Sequence, residues 1–484
     1  MYVPAIFALM LEDFHEARTF FYSATLGLIG CGLVGIAQGT RVHQQNGLRQ
    51  LLALLCAFAV LPLLLAVPFY EGLRTTSFVN AYVEMVSAIT TTGAPFFDDP
   101  NRLSPSLHLW RAQVGWMGGL LMWIAAAAIL APLNLGGFEV TASNEPGQGV
   151  LRSTQIAVAG VAKRIERVTV RLVPIYVGLT SVLWISLLIA GQKSYVALCH
   201  AMSVMATSGI SPVGGFENAG GGFGAEVLVF LFMLFALSRL TFSTDTMSSA
   251  RIGLHNDPEF RVGLMLILGV PALLFLRHWV GAYDVDEEAN LLAGFQAFWG
   301  GMFTVLSFVT TTGFESESWA AARDWSGLHT PGLILMGLAL IGGGVATTAG
   351  GVKLLRVYAL YLNGMREIER LVHPSSVGHA SAHSRRLRKQ GAFVAWVFFM
   401  LFALTMAAVT VILAALGLGF EQALLLAIST LTTTGPLITA ASDGAISLSG
   451  MPAQIKLVLA AAMVLGRLEM LAIIALFTPQ LLRN

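Results

Sequence analysis

One seven-residue pattern occurs four times in this chain, and it constrains the fold more than any other feature. It reads Ser, two apolar or small residues, Thr or Ala, then Thr, Thr or Ser, and Gly. The copies are Ser87-Ala-Ile-Thr-Thr-Thr-Gly93, Ser203-Val-Met-Ala-Thr-Ser-Gly209, Ser307-Phe-Val-Thr-Thr-Thr-Gly313 and Ser429-Thr-Leu-Thr-Thr-Thr-Gly435. A helix kink or a small-residue packing site would explain one such copy. Four, near-evenly spaced, describe a repeated unit.

The surroundings repeat as well. A long apolar run precedes each copy, at Leu51 to Tyr70, Val170 to Ala190, Val262 to Val280 and Ala392 to Leu416. A half-span leads into the heptapeptide, and a second apolar run follows, at Leu109 to Leu133, Ala225 to Leu240, Pro331 to Ala359 and Ile455 to Pro479. Each unit therefore reads helix, short pore helix, Gly-containing loop, helix. With 56% hydrophobic and 11% charged residues and a mean hydropathy of +0.73, the chain is too apolar for water, and runs of this length suit a hydrocarbon layer about 30 Å thick. The expected fold is an all-α polytopic membrane protein of four fused units around a pseudo-fourfold axis. The units are expected at residues 51–140, 141–253, 254–363 and 364–484, after an N-terminal membrane region at 1–50 that contains the apolar run Phe20 to Gly39. Met1 to Met10 is apolar but short, and Glu12 and Asp13 follow where a cleavable signal would carry small residues, so the segment is expected to remain.

Coordination gives the heptapeptide its chemistry. A dehydrated cation must be wrapped in oxygens, and four strands of backbone carbonyls around an axis can replace its hydration shell. Glycine turns carbonyls at φ values other residues resist, and threonine or serine adds a hydroxyl oxygen. Irregular backbone at membrane depth is tolerated only where it lines such a path or is buried in protein. The candidate ion ligands are Thr91, Thr92 and Gly93; Thr207, Ser208 and Gly209; Thr311, Thr312 and Gly313; and Thr433, Thr434 and Gly435.

Charge supports the same picture. A net charge of +1 argues against nucleic acid as a partner. If the loops enter from outside, most of the 28 Lys and Arg lie on the cytoplasmic side, densest in the linker that carries Arg366, Arg370, Arg385, Arg386, Arg388 and Lys389. Most of the acids then face outward, among them Asp98, Asp99, Asp284, Asp286, Glu287, Glu288, Glu315 and Glu317, where they would enrich cations at the mouth or serve as ordinary solvated loops. Cys31, Cys56 and Cys199 read as small hydrophobes. Gly30-Cys-Gly-Leu-Val-Gly35 matches a dinucleotide fingerprint but lacks the strand and crossover that give the motif meaning. His379 and His383, with His373, sit in the basic linker without acids or cysteines nearby and read as solvated loop. No nucleophile elbow, zinc-protease pair or P-loop is present, so no enzyme, resident cofactor or structural metal is expected.

These residues resemble the Trk, Ktr and HKT superfamily of potassium transporters, most closely its bacterial TrkH-type members. The resemblance runs from about Leu51 to Pro479. It is carried by Ser87 to Ala94, by Ser307 to Phe314 with Trp319, by Trp116-Met-Gly-Gly119, by Gly342-Gly-Gly-Val-Ala-Thr-Thr-Ala-Gly-Gly-Val-Lys353 and by Gly466-Arg-Leu-Glu-Met470. Three positions depart from the pattern. Thr207-Ser208-Gly209-Ile210 stands where Thr-Gly-Gly-Phe is usual, Thr433-Thr434-Gly435-Pro436 where Asn-Val-Gly-Pro is common, and Ala346 where a further glycine is usual. The resemblance implies potassium as the transported ion in a bacterial inner membrane, a homodimer, and a cytoplasmic nucleotide-binding regulatory subunit of the TrkA/KtrA type. It also implies two helices before the first unit.

Gly342, Gly343, Gly344, Gly350 and Gly351 interrupt a segment otherwise long enough to span. Each glycine costs a helix about 1 kcal/mol relative to alanine, so a break is expected. The resemblance implies that the freed loop, with Ala346, Thr347, Thr348 and Lys353, is the gate beneath the third filter. Arg467 lies in an apolar helix, where an uncompensated charge costs at least about 2.5 kcal/mol. Glu469, two positions on, does not share its face. Arg467 is therefore expected to meet carbonyls of the Gly-rich loop and raise a positive barrier in the path, or to form a salt bridge that serves assembly. A sodium-permeable or sodium-coupled relative of the same fold, a secondary transporter with broken helices, whose repeats would run in inverted sense, and a scaffold without flux are the rival readings.

Overall fold

The computed structural model describes residues 1–38, 47–97, 99–133, 135, 137, 161–238, 257–281, 290–326, 330–373, 391–442 and 446–469. Among them every regular element is helical. Asp98, Asp284, Asp286, Glu287, Glu288, His379, His383, the basic cluster Arg385, Arg386, Arg388 and Lys389, and the part of the expected last apolar run beyond Glu469 lie outside the described residues.

Two helices precede the repeats, α1 (Tyr2–Met10) and α2 (Phe14–Gln38). The fingerprint-like Gly30 to Gly35 lies inside α2, with open space around its glycines. The first unit opens with α3 (Gly47–Ala59) and α4 (Leu61–Leu73), which together cover the span Arg49–Leu73. An unbroken run was expected here. Pro62 cannot donate the helical hydrogen bond, and the helix is offset at Val60 just before it. The pore helix α5 (Phe78–Ile89) starts where Ser77 accepts from the Asn80 N–H at 3.3 Å. Helix α6 (Pro105–Ala125) starts on Ser104, with Pro105 in the first turn.

The second unit comprises α7 (Val161–Ile189), pore helix α8 (Ser194–Ala206) and α9 (Gly222–Met233), which tightens into a 3₁₀ turn at Leu234–Leu237. The third comprises α10 (Pro258–Gly281), α11 (Asn290–Val309), the short α12 (Trp319–Ser326) and α13 (Pro331–Ile341). After α13 the backbone leaves the helix at Gly342 and resumes it as α14 (Leu354–Val372), so the glycine cluster breaks the helix as expected. The fourth comprises α15 (Ala392–Ala415), α16 (Phe420–Leu431), α17 (Leu437–Ala441) and α18 (Ala453–Leu468).

Among the described residues six helices are long and apolar enough to cross a membrane: Phe14–Ala37, Arg49–Leu73, Pro105–Leu130, Lys163–Ile189, Pro258–Leu276 and Ala392–Ala415. Side chains such as Leu26, Ile36, Val170, Met265 and Leu404 face outward. An apolar surface on this scale fits lipid, not water. Inside, one buried cluster joins chiefly units one and four, with Phe58, Phe69, Met85, Leu426 and Leu459, and another joins units two and three, with Leu187, Val229, Phe303 and Leu335. Residues beside the loops belong to both clusters, Ala94 and Ile210 to the first and Phe314 and Leu437 to the second.

Candidate functional site

All four heptapeptides adopt one local structure. The serine that opens each copy ends a pore helix turn, and its carbonyl accepts a backbone N–H five residues on: Thr92 to Ser87 at 2.8 Å, Ser208 to Ser203 at 2.9 Å, Thr312 to Ser307 at 2.9 Å and Thr434 to Ser429 at 2.8 Å. The closure forces Thr91, Thr207, Thr311 and Thr433 into the left-handed region, with φ of 56°, 49°, 57° and 54°. For a β-branched residue this costs about 1–3 kcal/mol, and strain of this kind gathers at functional sites. The next side chain turns back onto its own pore helix. Thr92 meets Thr90 at 2.8 Å, Ser208 meets Ser203 at 3.1 Å, Thr312 meets Thr310 at 3.1 Å, and Thr434 meets Thr432 at 3.2 Å. A serine at 208 is thus accommodated behind the loop, where its hydroxyl finds a partner.

The loops close a ring in chain order. A Cβ added to Gly93 would lie 1.8 Å from the Ser208 carbonyl oxygen, one on Gly209 2.2 Å from that of Thr312, one on Gly313 2.9 Å from Pro436, and one on Gly435 2.2 Å from the Ala94 nitrogen. The Gly435 N–H donates to the Thr92 carbonyl at 2.6 Å, joining the fourth loop to the first. Gly93, Gly209 and Gly313 have φ of 65°, 63° and 81°, as their expected freedom requires. Gly435 does not share this conformation. Pro436 starts α17 directly after it, and glycine is needed there because the first loop's backbone leaves no room for a side chain. The threonines and Ser208 are buried. Each pore helix runs straight into its loop, so four helix C-termini, each carrying about half a negative charge, converge on the ring.

The Gly-rich loop lies against this ring, on the side of the threonines that precede its glycines. Its ends are drawn together by Val352 N–H to Leu340 O and Lys353 N–H to Ile341 O, both at 2.9 Å. Gly342, Gly351, Ala346 and Lys353 all have positive φ. The departure at Ala346 therefore falls on a position whose φ of 59° favours glycine. The loop bonds threonines of the ring: Thr207 Oγ1 donates to Thr348 Oγ1 at 2.9 Å, and the Gly350 N–H donates to Thr311 Oγ1 at 2.8 Å. Thr91 Oγ1 and Thr433 Oγ1 are buried and have no hydrogen-bond partner among the described residues. Gly343 and Gly344 pack on the 3₁₀ turn after α9, where the Gly344 N–H donates to the Ala236 carbonyl at 3.0 Å. Thr347 bonds within the loop to the Gly344 carbonyl at 2.7 Å, and Lys353 reaches the Ala349 carbonyl.

Arg467, buried at the end of α18, donates through Nη1 to the Thr348 carbonyl. Glu469 turns elsewhere, to Arg356 at 2.7 Å, and the Arg356 guanidinium lies 3.7 Å over the Phe398 ring. Several residues that hold this region were not singled out from the sequence. Buried Glu259 accepts from the Val345 N–H at 3.0 Å, Arg111 pairs with Glu84 behind the first loop, and Glu16 accepts from Ser104 at 2.7 Å and from Ser106. The signal available for them is an ionisable residue in or beside an apolar segment. At the opposite side of the ring, Glu315 follows the third loop. Burial and the nearby Glu217 raise its carboxyl to about 7 against an opposing pull from Arg323, and Glu217 is itself raised by burial.

The model of one protein family, TrkH, described as a cation transport protein, matches residues 65–481. The Trk system potassium uptake protein TrkH of Vibrio parahaemolyticus is 28% identical, over 100% of this chain and 96% of its own length. The protein of the same name from Salmonella typhimurium is 30% identical, over 87% of this chain and 83% of its own. The crystal structure of the potassium transporter TrkH from Vibrio parahaemolyticus superposes with a TM-score of 0.78 at 24% identity, covering 99% of this chain and 95% of that one.

Proposed function

We infer that this chain, which belongs to the TrkH family of cation transport proteins, takes up potassium across a bacterial inner membrane through the ring of four loops. One observation carries the reading: four glycine-ended turns, buried and strained alike, abut one another in a closed circle. Such a circle offers backbone oxygens to a naked ion. The names of the relatives favour potassium. Thr91 to Gly93, Thr207 to Gly209, Thr311 to Gly313 and Thr433 to Gly435 serve as ligands, and the loop from Gly342 to Lys353, held by Arg467, serves as the gate. A membrane potential of 100 mV supplies about 2.3 kcal/mol per monovalent ion, or about 50-fold accumulation, so uptake needs no ATP hydrolysis in this chain. A homodimer and a nucleotide-binding cytoplasmic subunit complete the working assembly.

Rubidium and sodium uptake into proteoliposomes, measured side by side under an imposed potential, tests this. Rubidium is expected to enter at least tenfold faster, the discrimination that about 1.4 kcal/mol provides. Equal rates would replace the potassium reading with that of a sodium-permeable relative, and no flux of either ion would end it.

A further inference from the structure

The third loop is held from outside the ring by a residue of another unit. Glu226, on α9 of the second unit, is 2% exposed. Its carboxylate accepts from Trp299 Nε1 at 2.7 Å, from Ser316 Oγ at 2.8 and 3.0 Å, and from the Glu317 backbone N–H at 2.7 Å. Trp299 belongs to the third pore helix, and Ser316 and Glu317 lie just past Gly313. The Trp299 ring is clamped between Phe223 and Phe230 of α9, with centroids 4.9 and 5.3 Å away. Among the described residues no cationic side chain pairs with Glu226, and three donors from one neighbouring unit converge on it.

We propose that Glu226 is a positioning residue for ion selectivity: it anchors the outer end of the third loop, as the Ser307 carbonyl anchors the inner end, and so fixes the carbonyls between them. The proposal rests on the reading of the ring as a filter. Phe314, next to Gly313, packs on the His200 and Phe216 rings of the second unit, and Ser316 also holds the Ser318 N–H at 3.1 Å. Phe314, Ser316 and the Glu317 N–H, all just past the glycine, are thus pinned by the second unit, with Glu315 between them. Selectivity among ions of equal charge depends on how firmly such oxygens are held and how many face the ion.

The test is Glu226→Gln, read as the ratio of rubidium to sodium uptake in proteoliposomes. The amide keeps the shape but turns an N–H toward one of the donors, whichever way it is oriented. The ratio is expected to fall about tenfold, the order set by losing one hydrogen bond to a charged group. A purely structural role would lower the amount of active protein and leave the ratio unchanged. Trp299→Phe, which removes one donor, is expected to shift the ratio the same way by less. Gly313→Ser within the loop separates the two readings. If it lowers the ratio while Glu226→Gln and Trp299→Phe do not, the positioning role is overturned; if it too leaves the ratio at the wild-type value, the filter reading fails. Should Glu226→Gln not be recovered from membranes, Trp299→Phe and Ser316→Ala decide, and wild-type ratios in both overturn the proposal.

Discussion

Gly350→Ala offers the sharpest test of the loop as a gate. A Cβ at this position would lie 2.0 Å from the Thr432 carbonyl oxygen and 2.4 Å from Thr433 Oγ1. Carbon and oxygen settle at about 3.3 Å, so the loop must retreat by roughly 1 Å, and the nearest obstacle is backbone that cannot rotate away. That retreat breaks the 2.8 Å bond from the Gly350 N–H to Thr311 and draws Thr348 from Thr207. Two such bonds, at about 1 kcal/mol each, make about 2 kcal/mol, or roughly 30-fold in the balance between docked and released loop. The φ of Gly350 is not in the left-handed region, so alanine adds a clash without torsional strain. In proteoliposomes containing this chain alone, initial rubidium uptake is expected to rise by about one order of magnitude or more. A rate at or below that of the wild type, with the variant correctly inserted, would refute the argument that the docked loop closes the path.

Two further outcomes follow from the same geometry. Arg467→Ala removes the donor to the Thr348 carbonyl and the charge behind it, and single-channel current or rubidium flux is expected to increase about tenfold, since a charged hydrogen bond contributes at least about 1.5 kcal/mol; unchanged conductance would reject the barrier role. Glu315, held near 7 by burial and Glu217, charges as external pH rises from about 6 to 8, so uptake from dilute cation is expected to rise over that window and to lose this dependence in Glu315→Gln or at high salt, where screening erases the field. The rise cannot come from stability: the fold binds this proton more tightly than the unfolded chain, so ionisation between the ordinary carboxyl value and about 7 destabilises it slightly.

The repeat, the helix order and the break at Gly342 were legible because each depends on local chemistry: apolar length, glycine, and a pattern seen four times. The split of the first span at Val60 was legible too, had Pro62 been weighed as a missing donor. What the sequence could not give is which long-range partners its buried ionisable residues choose. Arg467 was seen to need oxygens, and Thr348 supplies one, but Glu226, Glu259 and the Arg356–Glu469 pair are set by three-dimensional neighbours far off in the chain. Nor did the pattern show that Gly435 serves by close approach where the other three glycines serve by φ.

The fusion of four units has a consequence that four identical subunits could not produce. In an exact tetramer a threonine hydroxyl beneath the ring would have four equivalent surroundings, and a docked loop would have to bond all or none. Here Thr207 and Thr311 bond the Gly-rich loop, while Thr91 and Thr433 keep buried hydroxyls with no partner among the described residues. The units have diverged: among the described residues the third has its second helix broken at Gly342 against the ring, and the fourth follows its loop glycine directly with a proline. The loop's hydrogen bonds to the ring itself are thus two, those of Thr207 and Thr311, while further bonds run to Ala236, Glu259 and Arg467. If the loop gates the path as proposed, this two-sided contact is the place where a substitution shifts the balance between docked and released loop, as Gly350→Ala tests.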